Sequence, residues 1–104
     1  MFPIYMYFTL QDGTGKKKYK AVFYDRSLKN IKTTQFGDKR YDNFTIHKDE
    51  KRRDKYRRRH FRDKIDEPMT AVSLSWFLLW NKPTLDESIA DYEQRFNLIY
   101  YDTF

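Results

Sequence analysis

The sequence predicts an α+β domain: a small antiparallel β-sheet of two or three strands in the first third of the chain, followed by three α-helices. Three observations predict it. Apolar and β-branched runs separated by the turns QDGTGKKK and DRSLKN fill residues 4–37, the apolar spacing turns helical from about Thr45, and Pro68 and Pro83 divide the helical part into three. With 104 residues a single domain is expected, and a domain this small buries only about two-thirds of its unfolded surface. Aromatic residues make up 19% of the chain. They are the natural core formers, since each buries about 150–250 Å².

The first strand is IYMYFTL, residues 4–10, apolar on both faces and therefore expected to be covered on both sides or docked on a partner. Asp12-Gly13 signals a hairpin, because a type I′ turn needs positive φ. In KKYKAVFYD, Tyr19, Ala21 and Phe23 share one face, and Lys18, Lys20, Val22 and Tyr24 share the other. That is the pattern of a half-buried strand. In IKTTQF, Ile31, Thr33 and Gln35 alternate with Lys32, Thr34 and Phe36, Gly37 closes the run, and GDKRYDN reads as a loop.

The first helix is the basic segment 48–64, KDEKRRDKYRRRHFRDK, with ten Lys or Arg, four Asp or Glu and a net charge of +6, the formal charge of the whole chain. Asp49 and Glu50 suit its first turn and the arginines its later turns. Tyr56, Phe61 and Ile65 do not fall on one stripe, so only a narrow edge is expected to be buried. Asp66-Glu67-Pro68 ends it. Residues 70–80 carry Val72, Leu74, Trp76, Phe77, Leu78, Leu79 and Trp80, apolar almost all round, as a central core helix should be. The third helix begins with the capping box Thr84-Leu85-Asp86-Glu87 and aligns Leu85, Ile89, Tyr92 and Phe96 on one face. A DNA-reading helix-turn-helix is rejected here, because the second helix is acidic.

Catalysis finds no support in these residues. The absence of Cys excludes disulfides, thiolate zinc sites and a cysteine nucleophile. DGTGKKK fails the phosphate-loop pattern, since only Thr14 separates its glycines and Lys17 stands where Ser or Thr should bind magnesium. His47 and His60 are thirteen apart, with no HExxH and no clustered carboxylate at ligand spacing, and His60 reads better as filling a helix edge beside Tyr56. Asp66 and Glu67 lack a nucleophile beside them. Asn43-Phe44-Thr45 fits a glycosylation triplet, but with no export signal Thr45 reads better as a helix cap. MFPIYMYFTLQ is too short to span a membrane and lacks a basic leader. The expectation is a protein that is not an enzyme, with no catalytic residue, metal or cofactor and no membrane span.

Binding is the better reading. A solvated charged face is the plain account of any charge run. This run is rich in arginine, whose guanidinium forks grip phosphate oxygens in pairs, and it carries Tyr56 and Phe61 among the charges. Like charges at 53 and 57, 55 and 59, and 58 and 62 repel at i,i+4 spacing, which an anionic partner would relieve. The expected phosphate ligands are Arg52, Arg53, Lys55, Arg57, Arg58, Arg59 and Arg62, assisted by Lys16, Lys17, Lys18 and Lys20. Residues 1–47 carry +5 and residues 65–104 carry −5. Such a bipolar molecule can also associate with itself.

KKYKAVFYD, IKTTQFG, the helix from HKDE to RRRH, and above all WNKPTLDESIADYEQRF resemble a small uncharacterised family of large DNA viruses, of the algal-virus and mimivirus-like groups. The resemblance covers residues 17–97. It sets residues 1–16 apart as an N-terminal aromatic arm or strand, and residues 98–104 as an aromatic tail. It implies a viral setting and association with the virion, and it carries no catalytic residue. The leading expectation is therefore sequence-independent binding of nucleic acid, DNA before RNA, in genome packaging or the virion core. The protein would then reside in the virion, and in the host cytoplasm or nucleus during infection. The alternative is a minor capsid or scaffold-like protein whose basic side docks on acidic protein surfaces while its apolar ends, IYMYFTL and NLIYYDTF, insert into neighbours.

Overall fold

The computed structural model of the chain describes residues 6–102. The second and third strands form where the alternation places them, β2 at Tyr19–Tyr24 and β3 at Asn30–Phe36; β1 is Met6–Asp12, running two residues past IYMYFTL, whose residues 4 and 5 lie outside the described residues. They pair antiparallel, with Phe8 opposite Phe23, Leu10 opposite Ala21, and Tyr19 opposite both Asp12 and Phe36. Because side chains alternate along a strand, this register puts Phe8, Leu10, Tyr19, Ala21, Phe23 and Phe36 on one face. The connection from β1 to β2 is not a two-residue turn. It runs through residues 13–18, and its positive φ of 59° falls at Gly15. Gly13 is needed for close approach instead, since a Cβ there would lie 2.3 Å from the Lys17 carbonyl oxygen.

The helices are α1 (Phe44–His47), α2 (Glu50–His60), α3 (Ala71–Leu74) and α4 (Leu85–Phe96), with a π-helical turn at Ser75–Leu79 between the last two. The basic segment is thus broken at its start. Asn43 caps α1, Lys48 turns left-handed with φ 56°, and Asp49 caps a new helix. Thr45 sits inside α1, and its backbone N–H donates to the Asn43 side chain. At α4 the capping residue behaves as its chemistry requires: Thr84 Oγ1 accepts from the Glu87 N–H at 3.1 Å. Glu87 returns its carboxylate to the Thr84 hydroxyl rather than to the backbone.

The expected architecture needs correction. Among the described residues the sheet has four strands and is mixed, in the order β3-β2-β1-β4, and it is accompanied by four helices rather than three that follow it. The fourth strand is Leu98–Tyr100, from the segment read as a tail, and it lies parallel to β1 with Met6 opposite Leu98 and Phe8 opposite Tyr100. A parallel partner requires a long crossover, and here everything from β2 to α4 supplies it. Asn97 makes the reversal possible by closing α4 at φ 57°. The Tyr100 N–H then donates to Glu93 Oε2 at 3.0 Å, and the Tyr101 N–H to the Phe8 carbonyl at 3.0 Å.

Helices cover one face of this sheet. Leu74, Phe77, Leu78 and Leu79 from α3 and the π turn, and Ile89, Tyr92 and Phe96 from α4, close over Phe8, Ala21, Phe23 and Phe36. Tyr92 is fully buried, with its ring 5.8 Å from Phe8 and 4.8 Å from Phe96. The expected alignment of α4 holds, with Leu85 partly buried at its start. The segment 70–80 is not apolar all round in its setting, since Val72 stays 39% exposed.

Candidate nucleic-acid interface

None of the residues of α2 is fully buried, so its seating must come from something other than an apolar stripe. It comes from Arg53, Tyr56, Arg57 and His60, whose spacing of three, one and three lines them along one side of a helix. The Tyr56 ring stacks on Trp80 at 4.4 Å, only 5° from parallel, and the His60 ring lies 4.3 Å from Tyr56. Arg57 donates from Nε to the Trp80 carbonyl at 2.9 Å and from Nη2 to Asn81 Oδ1 at 3.0 Å, with its guanidinium 4.7 Å from the Trp76 ring centre. Arg53 lies 4.8 Å over Phe44 and reaches the Asn81 carbonyl at 3.4 Å. Two of the expected phosphate ligands are therefore structural. They fix α2 to the turn after the π helix.

That seating decides what the opposite side presents. Arg52, Lys55, Arg58 and Arg59 are exposed on α2, and Arg62 is exposed just past its end. Lys51, outside the expected set, completes the row: residues 51, 55 and 58 follow one line along the helix, with Arg52 and Arg59 beside it. Among the described residues, none of these cations forms an ion pair with a carboxylate. The one carboxylate of α2 in an ion pair, Asp54, contacts Arg53 at 3.4 Å. The result is an open cationic ridge.

The hairpin lysines divide. Lys16 and Lys17 are exposed in the β1–β2 loop. Lys18 is half-buried and donates to the Tyr41 carbonyl at 2.8 Å; burial pulls its pKa down, against the opposing pull of Asp42 and Asp38. It faces α2 across a cavity shared with Arg52 and Arg59. Lys20 is separated from the ridge: it pairs with Gln11 and Gln35 on the sheet face away from the helices.

The histidines serve the packing. His47 Nδ1 accepts the Asp49 N–H at 2.8 Å, and its ring lies 5.4 Å from Trp80. Burial first, then Arg52, lowers its pKa, which favours the neutral ring. Among the described residues, no group of three or more His, Cys, Asp or Glu gathers at metal-binding distance. None of their helices is long and apolar enough to cross a membrane.

Tyr56 gives this seating a pH signature. Burial, with a smaller push from Asp63, raises its pKa to about 12, and burial raises that of Tyr92 as well. Above pH 10 an unfolded tyrosine releases its proton while these two keep theirs, so the folded state binds more protons and stability must fall. Denaturant midpoints should hold up to pH 10 and decline between 10 and 12. Tyrosinate absorbance should show Tyr56 and Tyr92 among the groups that ionise late, together with Tyr19 and Tyr100, whose pKa values burial also raises. A flat stability profile over that window would contradict the buried setting of both rings.

The ridge and the strands before it are also where this chain can be compared with others. Residues 12–60 match a described family, "Family of unknown function (DUF5754)". The match runs from the end of β1 to the end of α2 and stops before WNKPTLDESIADYEQRF. Comparison with curated proteins and with solved structures returns no match.

Proposed function

We propose that this chain binds nucleic acid without sequence specificity and without catalysing a reaction, with DNA as the first candidate. The observation that carries the reading is the ridge of Lys51, Arg52, Lys55, Arg58 and Arg59: five exposed cations on a helix whose other side is pinned by Arg53, Tyr56 and Arg57. Exposed guanidinium and ammonium groups at helical spacing suit a row of phosphates, and phosphate contacts carry no sequence information. The resemblance of WNKPTLDESIADYEQRF to proteins of large DNA viruses supports a viral genome as the target, in packaging or the virion core. The virion, and the host cytoplasm or nucleus during infection, are then its places of action. Docking on capsid proteins is the weaker reading, because much of the apolar sequence that suggested it belongs to the sheet as β1 and β4.

Salt is the test. Fluorescence anisotropy with a labelled mixed-sequence duplex should give an affinity that falls steeply from 50 to 200 mM NaCl. About four or five neutralised phosphates imply a log–log slope of about −4. Affinity that does not change over that range would overturn the reading.

A further inference from the structure

Beside the ridge, α2, the loop 37–43 and the π turn enclose a cavity of about 430 Å³, within the size range of small-ligand sites. Its walls differ in charge. Arg52 and Arg59 stand on the α2 side, with Tyr56 between them and Lys18 at the floor of the loop; Asp38 and Asp42 stand on the loop side. Asp38 is occupied by Arg40, whose Nη2 lies 2.7 Å from its carboxylate. Tyr41 is on the rim and 66% exposed; Arg40 lies 5.6 Å from its ring centre. Leu79 and Trp80 add apolar wall.

Two features mark this cavity as more than a surface crevice. Asn43 lines it while only 2% exposed, and its side-chain Nδ2 is buried with no partner among the described residues. A buried donor of this kind is costly unless an acceptor reaches it. Ser75, Leu79 and the adjoining Trp80 come from the π-helical turn, a rare geometry often placed at functional sites. An anion would be drawn to the arginines and repelled by the aspartates. A flat ring with N–H groups would suit the opposite side, where Tyr41 offers a stacking surface and Asp42 an acceptor.

We propose that this cavity seats one unpaired nucleotide of a single-stranded nucleic acid, with its phosphate at Arg52 and Arg59 and its base against Tyr41. The inference rests on the nucleic-acid reading of the ridge and adds to it. A duplex can lie on the ridge but cannot place a stacked base in the cavity; a single strand can do both.

The experiment compares a labelled mixed-sequence 12-nucleotide strand with the same strand annealed to its complement, on wild type, Tyr41→Ala and Tyr41→Phe. Tyr41→Ala removes an exposed ring that packs on no core residue, and circular dichroism checks that the fold is kept. Loss of a base–aromatic stack should weaken single-strand binding about tenfold, leave duplex binding within about twofold, and be restored by Tyr41→Phe. Equal loss on both probes, loss on neither, or a wild type that binds duplex but not single strand overturns the cavity proposal and spares the ridge. A wild type that binds neither probe overturns both.

Discussion

Exchanging Lys51, Lys55 and Arg58 together for glutamate should lower duplex affinity by at least about a hundredfold at 50 mM salt and flatten the salt dependence. Each cation that meets a phosphate contributes about 0.9 to the log–log slope, so losing three should reduce its magnitude by about 2.7. The fold should tolerate the exchange. All three side chains are exposed, and exposed charges contribute at most about 1 kcal/mol each. Lys20→Glu is the control matched to the single exchange Lys55→Glu: it makes the same charge reversal on the sheet face away from the ridge, and it should change affinity little. Equal losses from Lys20→Glu and from Lys55→Glu would mean that only net charge matters and that the helix face has no special role. A triple exchange that leaves both affinity and slope intact would remove the ridge from the binding surface altogether.

How much of this was visible in the sequence depends on what each element announces in its own residues. β2 announced itself through the alternation of Tyr19, Ala21 and Phe23 with Lys18 and Lys20, although Val22 on the other face is buried too rather than exposed. α4 did too, through Thr84 at its cap and the stripe from Leu85 to Phe96. β4 did not. Three residues, Leu98–Tyr100, carry no period of their own, and they become a strand only because Asn97 turns the chain back beside β1. The π turn was equally hidden, since SWFLL is as apolar in a π helix as in an α helix. For the site, charge density was legible and direction was not. Counting apolar letters on α2 found no stripe, whereas the packed side is made of arginine, tyrosine and histidine. Guanidinium stacking on Trp76 and Phe44 does the work that leucine does elsewhere. The clue lay in the spacing of residues 53, 56, 57 and 60 opposite a segment with two tryptophans. Nothing within GDKRYDN marked Tyr41 and Asn43 as cavity residues, because the other residues that line the cavity come from three other parts of the chain.

Arg57→Ala should loosen α2 as a unit and weaken nucleic-acid binding although the side chain never reaches the ridge. Its guanidinium makes two charge-assisted hydrogen bonds, to the Trp80 carbonyl and to Asn81, and Asn81 in turn donates to Asp91 of α4 at 2.9 Å. α2 is thereby tied through one side chain to the helix that forms the core. Removing bonds of this kind costs about 2 kcal/mol, and the lost stack on Trp76 adds about 0.5–1 kcal/mol. With no fully buried residue of its own, α2 has little else to hold it beyond the Tyr56 stack and Arg53. Amide exchange in α2 should therefore accelerate about thirtyfold or more, while that of β1 and β2 changes much less. Arg57→Lys should restore little, since an ammonium group cannot span two acceptors with a planar fork. Arg58→Ala separates the two roles: it should weaken binding with no change in exchange, because Arg58 is exposed. If Arg57→Ala leaves α2 exchange at the wild-type rate, the helix is held by its aromatic stack alone. The guanidinium would then be free for a phosphate, as its neighbours on the outer side are.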